Sequence, residues 1–269
     1  MALLSGAALA IAGYWMQLLF RNPLASPSIL GVTNGASLGV SVVTMGMGFL
    51  GGTLRPDASI LAATMGALLI LLLLFVVRWR VQSLTGLLIF GVMTGHLAGA
   101  VESIFQRYAE RSSLSGLIFW SMGTFDHAEY AHILYVSIAL VILMTWIYVH
   151  SSQLDAWSLG DDTARSLGVS VQRVSGMLMI ASGILTAVVT AMAGPIAFIG
   201  LASPHLTRLW WHKRSHRSFL IPVCLTGMLI ALFCDLMSRS LEIPLNAVTS
   251  LVGAPWVMFW ILKNRNHVF

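Results

Sequence analysis

Long apolar runs, punctuated by short clusters of charged residues, divide the 269-residue chain from end to end. The hydrocarbon core of a bilayer is about 30 Å thick and an α-helix rises about 1.5 Å per residue, so a crossing helix needs about 20 mostly apolar residues. The gaps between charges predict nine such helices, at approximately 1–20, 28–49, 58–77, 84–105, 132–150, 174–193, 195–211, 218–237 and 245–262. The stretch 107–130 carries Arg107, Glu110, Arg111, Asp126 and Glu129 around an apolar centre, the pattern of a short helix lying at a surface. The segment 151–173 is the most polar connection. The expected fold class is all-α: a polytopic transmembrane helix bundle, one domain over residues 1–269, with no second soluble domain.

Composition supports this reading. Hydrophobic residues make up 57% of the chain and charged residues 9%, against about 25% charged in soluble domains. A soluble helical protein would need charged outer faces, and the charges are too few and too clustered for them. The net charge of +5 sits at the ends of apolar runs rather than in one basic stretch, so it points to membrane lipid and away from nucleic acid. Cys224 and Cys234 lack CxxC spacing and a nearby His, and read as small buried residues. Residues 1–20 lack the positive n-region and cleavage site of a signal peptide and read as a retained span.

The basic residues also predict orientation, because Lys and Arg concentrate in cytoplasmic loops. With the Arg21 loop inside, alternation puts 11 of the 15 basic residues on the same side, leaving Arg55, Arg107, Arg111 and Arg239 outside. The C-terminus is then cytoplasmic and the N-terminus external. Gly91, Gly95 and Gly99, like Gly35 and Gly39, recur every four residues, which suits close helix packing or a smooth pathway wall. Gly194-Pro195 and Ser203-Pro204 interrupt an uncharged stretch, as a tight turn or as a pathway element.

No enzyme site is visible. GxxxxGK[ST] and HExxH are absent, no Ser/His/Asp or paired-carboxylate set can be placed, and the eight His are scattered. No catalytic residue, metal ligand or cofactor is assigned. A proton-driven transporter would carry ionisable residues near mid-membrane, whereas Glu102 and Asp235 fall near predicted outer ends.

Four runs, "RNPLASPSILGVTNGASLG" (21–39), "LGDDTARSLGVSVQRV" (159–174), "AGPIAFIGLASPHLTRL" (193–209) and "IPLNAVTSLVGAPWVMFWIL" (243–262), together resemble the permeases of the iron-siderophore, haem and vitamin B12 ABC importers, in order and spacing across nearly the whole chain. The resemblance implies a bundle of about ten helices, with residue 1 aligning near the second. The first helix is then missing from this sequence or lies upstream of a misassigned start. It also implies ABC ATPase subunits that hydrolyse ATP, a second permease subunit, identical or paralogous, and a periplasmic substrate-binding protein, all at the bacterial inner membrane.

The segment 153–173 resembles the family's ATPase-coupling segment, two short helices seated in a groove of the ATPase. Leu159 and Leu167 would be apolar anchors, Gly160 and Gly168 would allow sharp turns, and Asp161, Asp162 and Arg165 would fix register. Asn22, Pro23 and Leu24 resemble an inner gate, with the loop at Gln82 and Ser83 as its counterpart. Arg239 resembles an arginine that receives a carboxylate from the binding protein, and Asp235 is placed to pair with it. The expected cargo is a ferric siderophore, on the wording of 243–255. Haem, cobalamin or metal-ion permeases are the alternatives, and a proton-driven secondary transporter is the alternative from another class.

Overall fold

The computed structural model describes residues 1–49, 56–81, 83–109, 111–126, 129–211 and 215–263. They form twelve helices, and no strand occurs among them: α1 Ala2–Phe20, α2 Val32–Phe49, α3 Pro56–Arg80, α4 Leu84–Tyr108, α5 Arg111–Ser121, α6 Tyr130–Val149, α7 Ser151–Ser158, α8 Asp161–Ser166, α9 Val171–Ala193, α10 Ile199–Trp210, α11 His216–Leu241 and α12 Leu245–Lys263. Six of them, α1, α3, α4, α6, α9 and α11, are long and apolar enough to cross a membrane. The short helix expected within 107–130 is α5, and the polar segment after α6 holds α7 and α8.

Apolar residues cover the outside as well as the core. On α3, Leu61, Met65, Leu69 and Leu72 are exposed, as are Leu225, Leu229 and Leu236 on α11. Such faces would aggregate in water and are at rest in lipid. Burial is greatest on α1: 78% of its apolar window lies inside the protein, against 22% for α6. It packs against α9, α10 and α11. Small residues permit this: a Cβ on Gly13 would run into the backbone of Gly200 on α10, and one on Gly6 into that of Gly227 on α11. Gly35 and Gly39 meet α3 at Gly66 and Ala62 in the same way. Where lipid supplies no hydrophobic drive, backbone contact of this kind supplies the dispersion energy that joins helices.

Three predicted crossings are not among those six: 195–211, 28–49 and 245–262, the last forming α12. The stretch 195–211 is an irregular segment followed by α10, whose 12 residues span only about 18 Å, too short for a bilayer core. The break falls at Gly194 (φ 75), whereas Pro204 sits inside α10 without ending it. The stretch 28–49 is helical only from Val32. Gly31 (φ 79) lies against Gly95, about 16 Å along α4 from its first residue, so the irregular chain 21–31 reaches well into the bundle. Irregular backbone at such depth must find its hydrogen bonds inside the protein. The turn bonds from Ile29 N to Ser26 O and from Leu30 N to Pro27 O, together with the ring Nε2–H of His205 donating to Pro23 O at 2.8 Å, meet that need. In the second break, Ala197 N donates to the Asn246 side chain at 3.2 Å.

Candidate functional site

At one end of the bundle the two short helices α7 and α8 lie across the ends of α1, α9 and α11. Gly160 (φ 116, ψ 157) and Gly168 (φ 78) hold positive-φ backbone on either side of α8, conformations that cost other residues about 1–3 kcal/mol. These turns set the two faces of the segment. Outward lie Leu159, Asp162, Arg165, Leu167 and Gly168, with Leu159 and Leu167 at 68% and 61% exposure. Inward lie Leu154, Trp157 and Ala164, all buried.

Asp161 is not on the outer face. Its carboxylate accepts from the Trp157 indole N–H at 2.9 Å and pairs with the Arg21 guanidinium, which also lies over the Trp157 ring and donates to the Trp157 carbonyl at 3.4 Å. Asp155 likewise turns inward, where its Oδ1 accepts from the His216 backbone N–H at 2.8 Å and from the ring Nδ1 at 2.6 Å, capping α11. Sequence reasoning missed Arg21, Asp155, Trp157 and His216 as partners. The available signal was Trp157 itself, a large aromatic in the most polar stretch of the chain, which marks an anchored face.

Beside this contact Asn22 accepts from Leu24 N at 2.9 Å through its side chain, Pro23 is held by His205, and Arg208 donates to His205 Nδ1 and Gln17 Oε1, each at 3.4 Å. Tyr14, Gln17, Arg21, Trp157 and Arg208 enclose a cavity of about 210 Å³ beneath α7. Ser83 caps α4, accepting from Gly86 N at 3.2 Å. No hydrogen bond joins it to 22–24 among the described residues, and Gln82 lies outside them. Buried Arg78 donates to Ser175 Oγ at 2.9 Å, fastening α3 to α9 at this same end. Arg21, Arg78 and Arg208 thus lie towards one end of the bundle, each held by its own partners.

At the opposite end Arg239 donates to Asp235 at 3.0 Å, the expected i,i+4 pair, and to Asp126 at 2.6 Å, a partner the sequence did not suggest. Arg239 and Asp126 line a cleft of about 550 Å³ with Glu242 and Pro244. A neighbouring cleft of about 650 Å³, sharing Phe119, Thr124 and Asp126, opens between α3, α5 and the end of α9. Among the described residues no group of three metal-ligating side chains occurs. Cys224 and Cys234 are buried free thiols.

Residues 1–263 match the FecCD transport family. The chain is 38% identical over 265 residues to the vitamin B12 import system permease proteins of Salmonella paratyphi A and Salmonella typhi, covering 97% of this chain and 79% of theirs. Among solved structures, it superposes with a TM-score of 0.88 on a transporter described as of the metal-chelate ABC type, in an inward-facing conformation. Identity there is 30%, with 97% of this chain and 83% of that one covered. PsaBC from Streptococcus pneumoniae, in complex with Fab, shares the fold alone, at a TM-score of 0.64 and 14% identity. With matches of this extent and four sequence runs in register, the chain belongs to the FecCD transport family.

Proposed function

We propose that this chain is the permease subunit of an ATP-driven importer of metal chelates in the bacterial inner membrane, with its basic end and C-terminus in the cytoplasm. The observation that carries the reading is the outer face of α7–α8. Leu159 and Leu167 stand exposed in the most polar part of the chain, where lipid does not cover them, flanked by Asp162 and Arg165. Two apolar knobs with charges of both signs beside them form the surface of a protein contact, here with the ATPase subunit. A second permease subunit and a periplasmic binding protein complete the assembly, and Asn22, Pro23, Leu24 and Ser83, with Gln82 outside the described residues, form its gate on the cytoplasmic side.

Two cargoes compete. The wording of 243–255 favours a ferric siderophore, while the 38% identity to vitamin B12 permeases favours cobalamin. Proteoliposomes containing the permease, its ATPase and its binding protein would be offered labelled cobalamin and labelled ferric siderophores in turn. ATP-dependent accumulation of one class is expected. Accumulation that ignores ATP and collapses with a protonophore would instead identify a proton-driven transporter.

A further inference from the structure

We infer that Arg21 and Asp161 are positioning residues for this transport cycle: through their contact, made over Trp157, the irregular chain 21–31 follows movements of α7–α8. The inference rests on the reading of α7–α8 as the ATPase-docking element and adds the route by which its motion leaves that element.

The geometry singles out this contact. Trp157 is 1% exposed and fixed in the core, yet its indole N–H, its ring face and its carbonyl all serve the Arg21–Asp161 pair. Asp161 opens α8, so any tilt of that helix moves the carboxylate. Arg21 closes α1 and starts the irregular chain, so any pull on the guanidinium reaches Asn22 and Pro23. Beyond them the chain has little slack. The Asn22 side chain closes a turn on Leu24 N, His205 grips the Pro23 carbonyl, and successive turns lead to Leu30 and Gly31, seated on Gly91 and Gly95 of α4. The cavity under α7 leaves α7–α8 room to move against α1.

The backbone at Arg21 supplies an independent sign. Its φ is 48 at the end of α1, a left-handed conformation that glycine takes freely and other L-residues rarely adopt. Helix termination alone is better served by glycine there. Arginine accepts that strain, and its side chain is the part that glycine lacks. Stability does not explain it either, since the pair is half exposed, at 50% and 43% of the two side chains, and exposed pairs contribute little.

The test uses the assembled transporter in nanodiscs, with Arg21→Gly, Asp161→Asn, the double variant and Arg21→Lys. Two cargo-independent readouts are taken. One is stimulation of ATP hydrolysis by the binding protein. The other is the distance between spin labels at Ser28 and Ser166 in ADP-bound and vanadate-trapped states. Each single variant should lower the stimulation about five- to tenfold, the low end of coupling between sites, and broaden the distance distribution. The double variant should be no worse than either single, and Arg21→Lys should recover most of the stimulation. Arg21→Gly should melt no earlier than wild type, which a purely structural role would not allow. Stimulation and distances at wild-type values in both single variants, while Arg165→Glu uncouples, would overturn the strut and leave the docking face standing. Wild-type behaviour of Arg165→Glu as well would remove the docking reading and the strut with it.

Discussion

Replacing Asp126 with Asn should make the binding protein associate faster. Arg239 is already held by Asp126 at 2.6 Å and Asp235 at 3.0 Å, so a carboxylate offered by the binding protein has to compete with both. Two unit charges 2.6 Å apart attract by about 1.6 kcal/mol in water. For side chains about half exposed, ordering of the two chains and counter-ions reduces this to roughly 0.2–1 kcal/mol. Since 1.4 kcal/mol is tenfold, releasing Arg239 from Asp126 can raise the association rate by at most about fivefold at low salt. Near physiological ionic strength, where the screening length is about 8 Å, the gain should shrink towards unity. Arg239→Glu should move the rate in the opposite direction, and Arg239→Lys should change it little. The assay is stopped-flow association of labelled binding protein with the purified complex over a salt series, beside thermal melts of each variant. If Asp126→Asn slows association at low salt as Arg239→Glu does, or leaves it unchanged, Arg239 serves only to fasten α11 to the loop at Asp126, and docking lies elsewhere on the rim.

Other outcomes follow from other parts of the bundle. Gly168→Val, forced into a left-handed backbone at a cost of about 1–2 kcal/mol, and Arg165→Glu should both insert normally yet sever ATP hydrolysis from uptake, read as transport per ATP. Gly13→Leu meets backbone on α10 rather than a movable side chain, and should lower stability by more than the roughly 1–3 kcal/mol typical of overpacking, seen as loss of the monodisperse peak on heating. His205→Ala leaves the Pro23 carbonyl without its donor and should cost about 1–3 kcal/mol, with His205→Gln milder in the same melt. A reporter after Lys263 should read cytoplasmic and one near Asp126 periplasmic, and the reverse pattern would invert the orientation.

The helices α3, α4, α6, α9 and α11 were legible in the sequence because each is an unbroken apolar run between charges. The stretch 195–211 was not, for a physical reason. Hydropathy weighs side chains, and Pro195–Phe198 is as apolar in an extended path as it would be in a helix. What separates the two is where the backbone N–H and C=O groups go, and that depends on Asn246, 49 residues away along the chain. The candidate site divides likewise. The turns at Gly160 and Gly168 and the Asp235–Arg239 pair follow from local pattern, whereas Leu159 and Leu167 are singled out only by the family resemblance. The pairing of Arg21 with Asp161 joins residues 140 positions apart, and the partner that takes Arg239 from the loop, Asp126, is equally distant in kind. Charge counts place such residues at an end of the bundle without saying which of them meet.

The enclosure of α1 also bears on how the chain is made. Its surroundings, α9, α10 and α11, emerge from the ribosome long after it does: Gln17 waits for Leu201, whose carbonyl it will donate to, 184 residues later. At about 5–20 residues per second of synthesis, that wait is roughly 10–40 s. During it a glycine-faced helix with a buried amide stands in lipid without the neighbours that satisfy it. Biogenesis of this protein therefore needs something to shelter α1 in the interval, whether the insertion machinery itself or provisional contacts with α2 and α3, and slow or interrupted translation beyond α6 should be the condition under which the nascent chain is lost to proteolysis.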